Sequence, residues 1–182
     1  MKTNIPEEIK QTVQQLYTSC REKMSGIAPV TILTINSDYT IVAYGKTDSP
    51  ENIWLLEIGS EITANKYFRY YPPTAGEVEE AIQIIEDEVM TLSKRLPADS
   101  SLYSFDSGIR EITLLTGSSS ANTDSTIFTR TDIELVFGRL ASIITGRPLS
   151  SDNLPATKSF AATLLILREV MFHLKFMGIK IL

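Results

Sequence analysis

Residues 155–176 constrain this chain more than any other stretch. Their pattern predicts a helix, and Phe160, Ala161, Leu164, Leu165, Leu167, Val170, Met171 and Leu174 make it apolar over most of its surface. A helix that is greasy nearly all round has to be surrounded by the rest of the fold. The run from Phe160 to Leu167 is far too short to cross a bilayer, and Arg168 and Glu169 follow it at once. The segment is therefore expected to be a buried helix packed against a sheet.

The strands to cover it are legible upstream. Residues 30–35 are a β-branched run, Asn36, Ser37 and Asp38 form a polar turn, and 39–44 are a second apolar run, which together read as a hairpin. Residues 53–58 give a third strand and 101–105 a short central one. Ahead of the hairpin, Ile9, Val13, Leu16 and Cys20 recur at helical spacing over 6–24, with Pro6, Glu7 and Glu8 suited to a first turn. A helix is expected over 73–96, because Thr74 and Glu77 stand at capping-box spacing and Val78, Ala81, Ile82, Ile85, Val89 and Leu92 share one face. Residues 60–71 fit a short helix or a strand equally well. A helix over 109–115 leads into a Ser/Asn/Thr-rich loop at 117–125, and Thr129 or Thr131 caps another helix running to 144. Residues 179–182 form a last strand. An antiparallel meander followed by crossover helices implies one α/β domain over 1–182, with a mixed sheet and the later strands parallel to the first.

Composition removes several functions. The net charge is −5 and basic residues are scattered singly, so no stripe exists to hold a nucleic-acid backbone. No membrane span is expected, and the acidic N-terminus does not fit a secretory signal, so a cytoplasmic setting is expected. His173 is the only histidine, which excludes a histidine metal cluster, and Cys20 is the only cysteine, on the apolar stripe of its helix. The acids Glu77, Glu79, Glu80, Glu86, Asp87 and Glu88 crowd the polar face of one helix and read as a solvated surface.

The stretch WLLEIGSEITANKYFRYYPPTAGEVEEAIQIIEDEV (54–89), the piece YSFDSGIREI and the later LPATKSFAATLLILREVM follow one another in an order and spacing that resemble a known family. The likeness is to the second domain of the exopolyphosphatase/guanosine-pentaphosphatase (Ppx/GppA) family, and it covers the chain from Pro29 onward. The resemblance implies a ribonuclease-H-like mixed sheet, one half of the actin-like ATPase superfold. It also implies an active site in a cleft completed by a preceding domain, of which only a helix stands before the first strand here.

The departures bear on activity. The family's DIGGGSTE motif falls on residues 34–41, where its opening acid is Thr34, its closing acid is Ile41 and its three glycines are replaced. Glycine lets backbone amides close around a phosphate, and a carboxylate anchors a divalent cation. Neither threonine nor isoleucine does this work. In the GTSGT-like segment Ser107 and Gly108 persist while Ile109 replaces a threonine, and the family's late Arg-Ala-Asp is Lys158, Ser159 and Phe160. No catalytic residue and no metal ligand is assigned. The ligand-binding candidates are Asn36, Ser37 and Asp38 at the turn, and Asp106, Ser107 and Gly108 after the central strand. An ordinary hairpin turn and a capped strand-to-helix junction are the competing accounts of them. Tyr67, Phe68, Tyr70 and Tyr71 are the interface candidates.

The expected function is accordingly a non-catalytic binding or assembly domain without a cofactor, partnered by itself or another protein. The alternative is a Mg²⁺-dependent phosphoanhydride hydrolase or a nucleotide- or polyphosphate-binding domain. It would recruit Asp38, Asp106 or Glu57 as replacement carboxylates and have its cleft completed by a partner chain.

Overall fold

The computed structural model describes residues 5–24, 28–97, 99–117 and 127–182. Among the described residues six strands form a single mixed sheet in the order β3-β2-β1-β4-β6-β5. These are β1 (Val30–Ile35), β2 (Thr40–Gly45), β3 (Asn52–Leu56), β4 (Ser101–Ser104), β5 (Ile127–Thr129) and β6 (Gly178–Ile181). The hairpin β1–β2 and the pair β2–β3 are antiparallel, while β4 lies parallel to β1 and β6 parallel to β4. The expectation that later strands run parallel to the first holds for β4 and β6. It fails for β5, a three-residue strand antiparallel to β6. The loop expected at 117–125 lies outside the described residues from 118 onward.

Among the described residues α-helices flank the sheet: α1 (Glu7–Glu22), α2 (Ser60–Tyr67), α3 (Ala75–Met90), α4 (Ser107–Leu114), α5 (Arg130–Ile144) and α6 (Lys158–His173). The ambiguous stretch after β3 resolves as α2. Among the described residues no helix is long and apolar enough to cross a membrane.

The two faces of the sheet are dressed unequally, and alternation along the strands decides which residue serves which face. Leu33 and Ile35 of β1 point into the main core, built around α6, which packs against α2, α3, α4 and α5. Nearly all of α6 from Phe160 to Met171 is buried, as its composition requires. Val30 and Ile32 point the other way, where α1 alone brings Val13, Tyr17 and Cys20 against them. Burial pushes the Cys20 thiol up to about 11, so it stays protonated and unreactive near neutral pH.

The link between α5 and α6 is held by Asp152. Its side chain is 2% exposed and accepts from Arg139 Nη2 at 2.5 Å, from Arg147 and from the Leu154 N–H. The hydrogen bond from Arg139 holds the Asp152 carboxyl below its usual range, aided by the charges of both arginines. A folded-state pKa below the unfolded one gives stability that is present above the ordinary aspartate pKa. That stability is lost as pH falls through the folded value. Asp152→Asn is expected to cost about 2 kcal/mol at neutral pH. In urea unfolding at a series of pH values, the gap between variant and wild type narrows below the ordinary aspartate range.

Candidate functional site

The carboxyl ends of β1 and β4 and the first turns of α2, α4 and α6 converge on one cleft of about 470 Å³. Such a position, beyond the carboxyl ends of strands, is where open α/β sheets hold ligands. Asn36, Ser37, Asp106, Ser107 and Gly108, all named from the sequence, line it together. Asp38 does not line it and is exposed. Glu57, a possible replacement carboxylate, lies instead in a different groove along β3.

Sequence reasoning missed two carboxylates at this cleft, Glu61 and Glu111. Both were within reach. Glu111 stands four residues after Ser107, one helical turn along the same face of α4, and Glu61 is in the first turn after β3. Ser60, Thr157, Ser159 and Thr163 supply hydroxyls, and the lining contains no lysine or arginine. The nearby Lys158 turns away to donate to the Phe68 carbonyl, and Arg110 donates to the Leu182 carbonyl.

Several hydrogen-bonding groups around the cleft are used by the fold. Asn36 N–H closes the hairpin on the Tyr39 carbonyl at 2.9 Å. The Asn36 carbonyl accepts from Ser60 N–H, and the Ser37 carbonyl accepts from both Glu61 and Ile62 N–H at 2.9 and 3.0 Å. All three leading amides of α2 are thus capped by the turn, although unsatisfied amides of this kind are what a helix normally offers an anion. Asp106 is equally occupied. Its Oδ1 accepts from Gly108 and Ile109 N–H as the cap of α4, and its Oδ2 accepts from Ile35 N–H at 2.9 Å. Phe160 N–H donates to Thr157 Oγ1 at the start of α6.

Gly59 makes the turn-to-helix contact possible. A Cβ there would stand 2.5 Å from the Ser37 carbonyl oxygen and from the backbone of Asp38 and Tyr39. The contact is with backbone, which cannot rotate aside.

Glu61, Asp106 and Glu111 make the cleft acidic. Among the described residues, however, no group of three His, Cys, Asp or Glu side chains is placed to hold a metal ion. Cys20 and His173 cannot act together, because Cys20 lies on α1 against one face of the sheet while His173 Nε2 pairs with Glu169 at 3.1 Å on α6, on the opposite face. The acids of α3 divide their roles. Glu77 accepts from the Thr74 and Arg69 amides, which holds its carboxyl below the usual range, and Glu86 lies 3.7 Å from His173.

Of the aromatic candidates for an interface, Phe68 is 2% exposed and belongs to the core. Tyr67 and Tyr71 are half-buried against that core, and Tyr70, at 79%, is the one that faces solvent. Phe68 is therefore withdrawn from the interface candidates; a buried ring offers a partner no surface.

No protein-family model matches the sequence, and no curated protein matches it significantly. Solved structures do. A Ppx/GppA phosphatase of Aquifex aeolicus, in its type II variant, superposes with a TM-score of 0.77 at 15% identity, over 94% of this chain and 59% of that one. An exopolyphosphatase-like protein gives 0.73 at 13% identity, over 97% and 63%. An exopolyphosphatase from Cytophaga hutchinsonii gives 0.69 at 10%, over 94% and 59%. The fold is that of the Ppx/GppA proteins, a mixed α/β sheet of the actin-like ATPase kind, as the order of sequence motifs implied. This chain spans about three fifths of the length of the structures it matches.

Gly59→Ala is expected to cost about 1–3 kcal/mol through the forced separation of turn and helix, read as a lower urea midpoint. Gly76→Ala, where a Cβ meets nothing within 4 Å, is the control and should not destabilise.

Proposed function

We propose that this chain is a non-catalytic domain of the Ppx/GppA fold that serves binding or assembly, in a cytoplasmic setting. One observation carries the reading: the leading α2 amides and the Asp106 carboxylate, which would grip a phosphate or a cation, are already bonded to the protein itself. The α2 amides go to the turn, and both Asp106 oxygens go to backbone N–H groups. The positions where the family motif has acids hold Thr34 and Ile41, and Ile41 is 5% exposed on the α1 face. An acidic lining without a basic side chain repels a polyanion unless a cation intervenes.

A second reading is kept by one feature, the shared lining by Glu61, Asp106 and Glu111. In it the chain binds a nucleotide or polyphosphate, or hydrolyses a phosphoanhydride, with Mg²⁺ and with a partner chain closing the cleft. Asp106 would contribute little, so Glu61 and Glu111 would carry the cation.

Calorimetric titration with ATP, GTP, ppGpp and short-chain polyphosphate, each with and without Mg²⁺, separates the two. The expected result is no binding heat and no phosphate release. Saturable micromolar binding that requires Mg²⁺ and is weakened at least tenfold, about 1.4 kcal/mol, by Glu61→Gln or Glu111→Gln would overturn the proposal.

A further inference from the structure

A helix that is apolar on every side does not dictate its own rotation. The side of α6 that carries Glu169 also carries Leu165 and Ala162, one turn and two turns earlier, and both are fully buried. By the same periodicity Phe160, Leu167 and Met171 occupy the opposite side, and these are buried too. The apolar area removed from water is therefore similar at several settings about the helix axis, and burial alone does not select one.

Of the buried residues of α6, Glu169 is the one that carries a charge, and it is 3% exposed. Arg168 Nη1 donates to its Oε1 at 2.5 Å, and His173 Nε2 stands 3.1 Å from its Oε2. Both partners belong to α6 and would turn with it, but each is anchored on another helix. Arg168 Nε reaches Glu134 of α5 at 2.9 Å, and its guanidinium lies over the Phe137 ring. His173 Nε2 lies 3.7 Å from Glu86 of α3. The next ring on the α5 side, Phe172, is covered by Arg130 of α5. The Glu169 carboxylate thus sits between α3 and α5. Another rotation of α6 would pull its two partners from their anchors and press the carboxylate against an apolar wall. A buried carboxylate without partners is costly.

We propose that Glu169 is a positioning residue: it fixes the rotation of α6 about its axis and so decides which α6 side chains form the cleft wall. Ser159, Phe160 and Thr163 supply that wall from about 15 Å upstream along the helix. The helix is continuous from Lys158 to His173, so a setting fixed near one end is carried to the other. At the cleft the Thr163 methyl packs beside Gly108 of α4, which makes that contact a local reporter of the setting. A well-packed apolar side chain at position 169 would stabilise the fold no less than the ion pair does. The desolvation of a buried carboxylate offsets most of what its partners return. What the carboxylate contributes is a single setting, the role that buried polar groups play in coiled-coil registry. The wall is placed this way whether or not the cleft takes a ligand, so this proposal and the reading of the cleft stand or fall separately.

Glu169→Leu removes the carboxylate and leaves Arg168 its Glu134 and His173 its Glu86. The expected result is an unchanged helical circular-dichroism signal and a urea midpoint no lower than that of the wild type. In the amide NMR spectrum the cross-peaks of Ser159, Thr163, Ser107 and Gly108 should split or broaden, as α6 occupies more than one setting. Glu169→Gln keeps the shape and an acceptor, so it should show one set of peaks. Its lost charge weakens the pairing, and the α6 amides are expected to exchange with solvent about tenfold faster while those of β1 and β2 do not change. A folded Glu169→Leu protein with single cross-peaks at the wild-type positions would overturn the proposal. So would a lowered midpoint with a single set of peaks, which marks an ordinary stabilising ion pair. If Glu169→Leu does not fold, exchange in Glu169→Gln decides: acceleration spread evenly over α6 and the sheet, or none, overturns it.

Discussion

Burial of α6 is the constraint on which the rest of the architecture depends. A helix with apolar residues on every side gains little from one neighbour, and each unburied leucine or phenylalanine forfeits roughly 1.5–3 kcal/mol. The molecule answers by packing α2, α3, α4 and α5 around it over one face of the sheet. The other face is left to α1 and a smaller set of side chains. This asymmetry also places the cleft. Because α6 runs under the sheet with its first turn beside the ends of β1 and β4, Thr157, Ser159 and Phe160 become part of the same wall as Asp106 and Asn36.

Position alone does not decide what that wall can hold. A helix N-terminus attracts an anion through unsatisfied amides, and a carboxylate binds a cation through free lone pairs. At this cleft the Asn36 and Ser37 carbonyls take the leading α2 amides and backbone amides take the Asp106 oxygens, while Glu61 and Glu111 also line it. Asp106 shows the point. From its place after a central strand it looks like a ligand, yet three backbone amides already share its two oxygens, and it ties the end of β1 to the start of α4.

Much of this was legible in the sequence where one interaction type dominated. The hairpin about residues 36–38, the capping box at Thr74 and the buried α6 all follow from local chemistry with a single solution, and the structure has each of them. The helix α2 was not legible because its buried residues are Thr63 and Ala64, whose small side chains leave no apolar stripe to read. Its existence depends on capping from a turn more than twenty residues earlier. β5 was hidden for a related reason: only Phe128 is buried in it, and its partner β6 lies at the far end of the chain. Asp106, Ser107 and Gly108 were found through their place after a strand. Glu61 and Glu111 went unremarked because an exposed acid in a helix is ordinary until the fold shows what it faces.

The joint between the turn and α2 has an evolutionary reading as well. Replacing Asn36, Ser37 and Asp38 by glycines would remove side chains but would leave the Asn36 and Ser37 carbonyls seated on the α2 amides, with Gly59 still admitting them. A phosphate-gripping loop would therefore need the peptide planes of the turn to flip and α2 to find another cap at the same time. No single substitution gives both. The turn behaves as a latch: its side chains can vary while its two carbonyls stay seated on α2.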